Sequence, residues 1–219
     1  MKEEKFICEG MDIPKDPFLD EFESVNELYY HDLPHWHQDK KLQFVTFRLA
    51  DSLPQSKLED FIQQKKDFLR FHPQPWDDET AILYYKKYGS NLEKWLDAGM
   101  GSCALKEPEI REIVNNAFYF FNEKKYILHS FVIMPNHVHV LVELLGENKI
   151  NEILHSWKSF TANQINKKTG RSDKFWMRES FDRIIRDESH YKKVVSYITN
   201  NPRNLDANSY TLMMAKKKV

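Results

Sequence analysis

Tyr126-Ile127-Leu128-His129-Ser130-Phe131-Val132-Ile133-Met134-Pro135-Asn136-His137-Val138-His139-Val140-Leu141-Val142-Glu143-Leu144 decides the fold. Two runs of β-branched, aromatic and other apolar residues flank Pro135-Asn136, which reads as a tight turn. Tyr126–Met134 is therefore expected to be one strand and His137–Leu144 its return. A connection of two residues forces the pair to be antiparallel. In a strand, side chains at i and i+2 share a face, so His137 and His139 project together. Glu143 shares that face by parity, and a solvated strand end is the simpler reading for it.

Working outward, Leu42–Leu49 carries aromatic and β-branched residues and predicts a further strand, broken at Asp51-Ser52-Leu53-Pro54. Residues 55–122 read as helical, in three pieces. The first spans about Lys57–Phe71 and stops at His72-Pro73. The second starts near Asp77-Asp78-Glu79 and ends at Gly99-Met100-Gly101, whose glycines read as a helix stop. The third covers about Pro108–Asn122, with Pro108 in its first turn. C-terminal to the hairpin come an amphipathic helix over about Ile150–Lys167, a short strand around Asp182–Arg186 and a last helix of Ser189–Asn200 stopped at Pro202. The expected fold is α+β, helices on an antiparallel sheet, with a helical insertion at 55–122 after the first strand. Residues 1–39 read as an acidic, irregular arm, 40–203 as the folded body, and 204–219 as a basic, flexible tail.

Composition narrows the function classes. Of 219 residues, 41% are hydrophobic and 14% aromatic, which is foreign to disordered chains. No apolar run reaches membrane-spanning length, and the N-terminus Met1-Lys2-Glu3-Glu4-Lys5 lacks the apolar core of a signal peptide. Cys8 and Cys103 lie far apart, so both thiols are expected to stay reduced, in a cytoplasmic protein. The net charge of −1 hides an asymmetry. Residues 1–39 hold 3 Lys/Arg against 11 Asp/Glu, whereas 40–219 hold 29 against 22. Within them 156–193 carries 10 basic and 5 acidic residues, a balance suited either to phosphate contact or to a solvated helix face.

Two neutral imidazoles on one strand supply much of a divalent-metal site. A bare H-x-H is more often structural, so a third ligand and a reactive group are needed elsewhere. Ser196-Tyr197-Ile198-Thr199-Asn200-Asn201-Pro202 offers both. On a helix Tyr197 and Asn201 stand at i and i+4, placing a phenol and an amide oxygen on one side. The structural alternative is an apolar-face tyrosine with Asn201 as the helix stop before Pro202. A second H-x-H, His35-Trp36-His37, sits beside a proline in an expected loop and is better read as packing or nucleic-acid contact than as a metal site.

Five stretches, in order over about residues 33–202, resemble the REP-associated tyrosine transposases, single-tyrosine members of the HUH endonucleases. They are Leu33–His37 with Phe44–Arg48, Trp95–Cys103, Val132–His139, Ser156–Ala162, and Phe175-Trp176 through Phe181–Asp187 to Tyr197–Pro202. After Pro202 the chain departs from the family's small-residue and glycine turn.

The resemblance implies a ferredoxin-like sheet, His137 and His139 as metal ligands, Asn201 as a third ligand, and Tyr197 as nucleophile. It further implies Mg²⁺ or Mn²⁺, single-stranded DNA bearing a REP-like hairpin, and a 5′-phosphotyrosine intermediate that is resealed. No nucleotide cofactor is expected, since no Walker-type loop is present, and a monomer or a homodimer both suit the family. Trp157, Lys158, Trp176, Arg178, Arg183 and Arg186, with Phe160 and Phe175, interleave rings and cations as unpaired bases and phosphates require. Their alternative is a place in the core. Two rival functions remain open: a catalytically silent hairpin-DNA binder of the same fold, and a zinc hydrolase built on His137 and His139.

Overall fold

The computed structural model describes residues 18–19, 26–30, 33–73, 78–89, 95–96 and 98–214. Strands β1 (Asn26–Tyr30) and β2 (Leu33–His37) pair with each other as an antiparallel hairpin. The main sheet is built from β3 (Leu42–Arg48), β4 (Tyr126–Ile133), β5 (His137–Leu144), β6 (Phe181–Ile184) and β7 (Thr211–Met214). Its order is β6-β3-β5-β4-β7, and every neighbour is antiparallel.

The helices are α1 (Gln55–Phe71), α2 (Asp78–Tyr84), α3 (Pro108–Phe120), α4 (Ile150–Thr169) and α5 (Glu188–Asn200). With α3 and α4 as the crossovers, β3 to β6 form a βαββαβ unit in spatial order 4-1-3-2, the ferredoxin-like arrangement, so α3 belongs to this unit and the insertion closes before it rather than at 122. The sheet thus has the expected α+β class, with β7 added on its β4 side.

Each face of this sheet has its own cover. Val45 and Phe47 of β3, Phe131 and Ile133 of β4, and Val138, Val140 and Val142 of β5 meet α3 and α4 through Val114, Phe118, Ile153 and Trp157. On the other face Leu42, Phe44, Val132 and Leu141 meet Tyr191, Val194, Val195 and Ile198 of α5. The alternation His-Val-His-Val in β5 therefore sends valines to the α3/α4 side and imidazoles to the α5 side. A bulge between Leu128 and Ser130 interrupts the register of β4 against β5. His129 lies in it and reaches Glu143 Oε2 through Nε2 at 3.1 Å and the Tyr191 hydroxyl through Nδ1 at 3.3 Å. Glu143, read from sequence as a solvated strand end, is thus engaged away from the other two histidines.

Three further expectations need correction. The arm ending at residue 39 holds the β1–β2 hairpin, and His35-Trp36-His37 stands in β2, paired with Asn26–Leu28, rather than in a loop. The second insertion helix is not continuous to Gly99. It ends at Tyr84 and widens into a π turn, Tyr85–Gly89. That turn keeps Tyr84 and Tyr88 both against Phe68, with ring centroids at 5.4 and 5.6 Å. Finally, the expected tail contributes a strand, β7, to the sheet. Arg111 donates to Thr211 Oγ1 at 3.2 Å and to the Asn208 carbonyl at 2.6 Å, fastening the segment that leads into β7.

Trp157 is 2% exposed, packs edge-on against Phe118 and Tyr126, and donates its indole N–H to the Tyr126 hydroxyl at 3.0 Å. Replacing it with alanine removes the largest buried side chain of α4 and leaves that hydroxyl only its bond to the Phe118 carbonyl, at 2.7 Å. We expect Trp157→Ala to cost about 3–5 kcal/mol in a urea titration. A loss under about 1 kcal/mol would show that this face repacks without it.

Candidate catalytic site

His137 opens β5 and His139 follows two residues later, both facing α5. Their Nε2 atoms stand 3.1 Å apart. His137 Nδ1 meets Asn136 Oδ1 at 2.8 Å, and His139 Nδ1 meets Thr46 Oγ1 of β3 at 2.7 Å. Asn136 donates through Nδ2 to the Leu96 and Met100 carbonyls, so its oxygen faces the ring and accepts from His137. The hydrogen of His137 is thereby placed on Nδ1 and its lone pair on Nε2. Thr46 can donate or accept, so His139 can carry its hydrogen at either nitrogen.

The third component arrives on α5. Asp187 caps this helix by accepting from the His190 N–H at 2.7 Å, and Val194, Val195 and Ile198 bury its apolar stripe. Tyr197, half-buried on the last turn, places its hydroxyl 3.2 Å from His139 Nε2. Phe44 orders the group: it stacks on His139 with centroids 5.5 Å apart and meets Tyr197 edge-on at 6.0 Å. Asn201 follows at the C-cap of α5, and its Oδ1 is buried without a hydrogen-bond partner.

Two imidazole nitrogens converging at 3.1 Å and an orphaned carboxamide oxygen one helical turn from the phenol fit a divalent cation with nitrogen and oxygen ligands. Among the described residues no three His, Cys, Asp or Glu side chains cluster, so the candidate ligand set is these two imidazoles and an amide.

Burial governs the protonation of the site. It pushes His137 down to about 3. His139 lies well below the ordinary imidazole range, first through burial and then through the neighbouring His137 and Arg183. Both rings are neutral in the fold, whereas in the unfolded chain they protonate below about pH 6.5. The stability they contribute is present above that pH and is lost as pH falls toward 3. Unfolding of the metal-free protein should cost about 3 kcal/mol less at pH 4.5 than at pH 7 on account of His137 alone. A denaturation midpoint equal at the two pH values would contradict this.

The cationic and aromatic residues read as DNA contacts separate into two groups. Arg183 of β6 belongs to the site, with its guanidinium 5.1 Å from the Phe44 ring and its charge felt at His139. Arg178 and Arg186 are exposed, as is Phe160. Trp157 and Trp176, by contrast, are core residues, 2% and 4% exposed, and Trp176 donates to Thr161 Oγ1 at 2.8 Å. Neither ring face is presented for base stacking, and buried Phe175 is in the same position. Lys158, read from sequence as a DNA contact, is held by the chain itself. Its ammonium is pinned by the Met177, Arg178 and Glu179 carbonyls at 3.0–3.2 Å and by Ser180 Oγ at 2.5 Å. Burial pushes it down to about 7. It holds in shape the chain that leads into β6 and Arg183. Thr46, Phe44 and Asn136 orient the site and went unnoticed in the sequence, because their partners lie far along the chain or depend on a side-chain flip.

Residues 105–201 match the model of a protein family described as "Transposase IS200 like", and His137, His139, Tyr197 and Asn201 all fall inside the match. Over these residues the chain is similar to the IS200-like transposases. It is also 27% identical to an uncharacterised protein of Haemophilus influenzae, across 42% of this chain and 62% of the relative's length. Among solved structures it is similar to a REP-associated tyrosine transposase bound to a REP hairpin, at 13% identity and a TM-score of 0.43, covering 83% of this chain and 74% of that one. A second similar structure is a transposase-like protein of Deinococcus radiodurans R1, at 12% identity and a TM-score of 0.33, covering 75% and 93%. No helix among the described residues is long and apolar enough to cross a membrane.

Proposed function

We propose that this protein is a metal-dependent DNA transposase and single-strand endonuclease that nicks and rejoins hairpin-bearing, REP-like DNA through a 5′-phosphotyrosine. One observation carries the reading: the Tyr197 oxygen lies 3.2 Å from Nε2 of His139, which itself converges on Nε2 of His137. A phenol from the last helix and two imidazoles from the central strand meet at one point, as the sequence resemblance requires. The IS200-like family match over 105–201 supports the same class.

His137, His139 and Asn201 would hold the cation. Mg²⁺ or Mn²⁺ bound there supplies positive charge to polarise the scissile phosphate and offset charge developing on it. The chain's own residues do the rest. Phe44 and the α5 packing fix the direction of the Tyr197 phenol, which spares the reaction much of its orientational cost. Arg183 adds a cation beside the site for the phosphate. Tyr197 Oη forms a bond to phosphorus as the bond from phosphorus to the 3′-oxygen breaks. The phenolic proton is given up and the released 3′-oxygen gains one, so the count balances. One phosphodiester replaces another, and a second strand's 3′-hydroxyl can reverse the exchange without ATP.

The test is to incubate the protein with 5′- or 3′-labelled hairpin-bearing single strands and Mg²⁺ or Mn²⁺, then look for a phosphotyrosine-linked species on denaturing gels. A covalent band that requires the metal and Tyr197 is the expected result. Binding without any adduct would favour the catalytically silent hairpin binder, and cleavage that persists without Tyr197 would favour a metal hydrolase.

A further inference from the structure

Asn136 is 1% exposed and uses both ends of its carboxamide. Nδ2 donates to the Leu96 and Met100 carbonyls, each at 3.1 Å, while Oδ1 accepts from His137 at 2.8 Å. Leu96 and Met100 belong to the segment that closes the helical insertion, which is itself fastened. The Ser102 N–H donates to Asp51 Oδ2 at 2.9 Å. Gly101, at φ +87°, lies so close to Asp51 that a Cβ there would sit 2.4 Å from its carbonyl oxygen. The Leu105 N–H donates to the Pro135 carbonyl at 3.0 Å, and the Leu49 N–H to that of Asn136 at 2.9 Å. The end of the insertion, the end of β3 and the turn before β5 are one hydrogen-bonded unit.

We infer that the loop closing the insertion, Leu96 with Ala98–Cys103, is a positioning element of the metal centre, acting through Asn136 on His137. This rests on the reading of His137 as a ligand. A neutral imidazole has one N–H, and the group facing Nδ1 decides where it sits. Were the carboxamide turned over, its NH₂ would face Nδ1 and the hydrogen would move to Nε2, where it blocks ligation. The turned amide would also aim an oxygen at two carbonyls that need a donor, a buried mismatch the fold does not tolerate. The Leu96 and Met100 carbonyls thus select the tautomer of a histidine 37 residues or more away in sequence. Asn136 touches no reacting atom, so its role is positional.

The test is Mn²⁺ titration followed by electron paramagnetic resonance, on the full chain without DNA, with circular dichroism as the check on folding. Wild type is expected to bind Mn²⁺, and Asn136→Ala to bind it about 10- to 100-fold more weakly. Gly101→Ala, which touches no ligand, should weaken it in the same direction by pushing the loop off Asp51. Asn136→Asp keeps an acceptor for His137 and should bind Mn²⁺ more tightly than Asn136→Ala, although its thermal midpoint drops. Folded Asn136→Ala and Gly101→Ala proteins with wild-type Mn²⁺ affinity would overturn the inference alone. Equal Mn²⁺ binding by wild type and His137→Ala would overturn the ligand reading and the inference with it.

Discussion

Tyr197→Phe is expected to bind hairpin-bearing single-stranded DNA at near wild-type affinity and to form no covalent adduct with it. The substitution removes one oxygen from a half-buried ring whose edge contact with Phe44 remains, so the fold should be untouched. What it removes is the only group in the proposed reaction able to carry the 5′-phosphate. Loss of the attacking atom typically lowers a reaction by about 10³-fold or more. Labelled substrate and denaturing gels read this directly. A Tyr197→Phe protein that still cuts DNA at a rate within about tenfold of wild type would sink the nucleophile assignment.

His139→Ala has the second-largest expected effect, and it acts at two levels. The imidazole lies between Thr46, His137, Phe44 and the Tyr197 hydroxyl. Removing it takes away a proposed ligand and the partner that steadies the phenol, and it strands the buried Thr46 hydroxyl. Adduct formation should fall at least about 100-fold, Mn²⁺ affinity should fall with it, and stability should drop by about 1–3 kcal/mol. The two substitutions act on one unit, so Tyr197→Phe with His139→Ala should be hardly worse than Tyr197→Phe alone. Additive losses in the double variant would mean that the imidazole and the phenol serve separate steps.

The hairpin that carries His137 and His139 was legible because a strand's period of two and a Pro-Asn turn are local signals. The i, i+4 spacing of Tyr197 and Asn201 is equally local. That α5 would lay Tyr197 over His139 was not local, and only the resemblance to a family suggested it. The misread residues fail for physical reasons. Trp157 and Trp176 alternate with cations in sequence, as in a base-stacking platform. Whether an indole N–H is satisfied, however, depends on Tyr126 and Thr161, 31 and 15 residues away. Lys158 looks like any solvated lysine until the chain at 177–180 folds over its ammonium. β7 escaped notice because all four of its residues are half-buried, which leaves no alternation to detect in Thr-Leu-Met-Met. Glu143 shows the same limit: its partner His129 faces it only because of a bulge in β4.

The C-terminal strand has a practical consequence for anyone trimming the gene. Cutting after Asn201, where the family match ends, keeps every proposed catalytic group yet strips Thr211–Met214 from Ser130–Ile133. The bared rim would offer its amides and carbonyls to neighbouring molecules, the usual invitation to clumping. A shortened version should therefore spend its time in inclusion bodies rather than at work, and an affinity handle belongs beyond Met214.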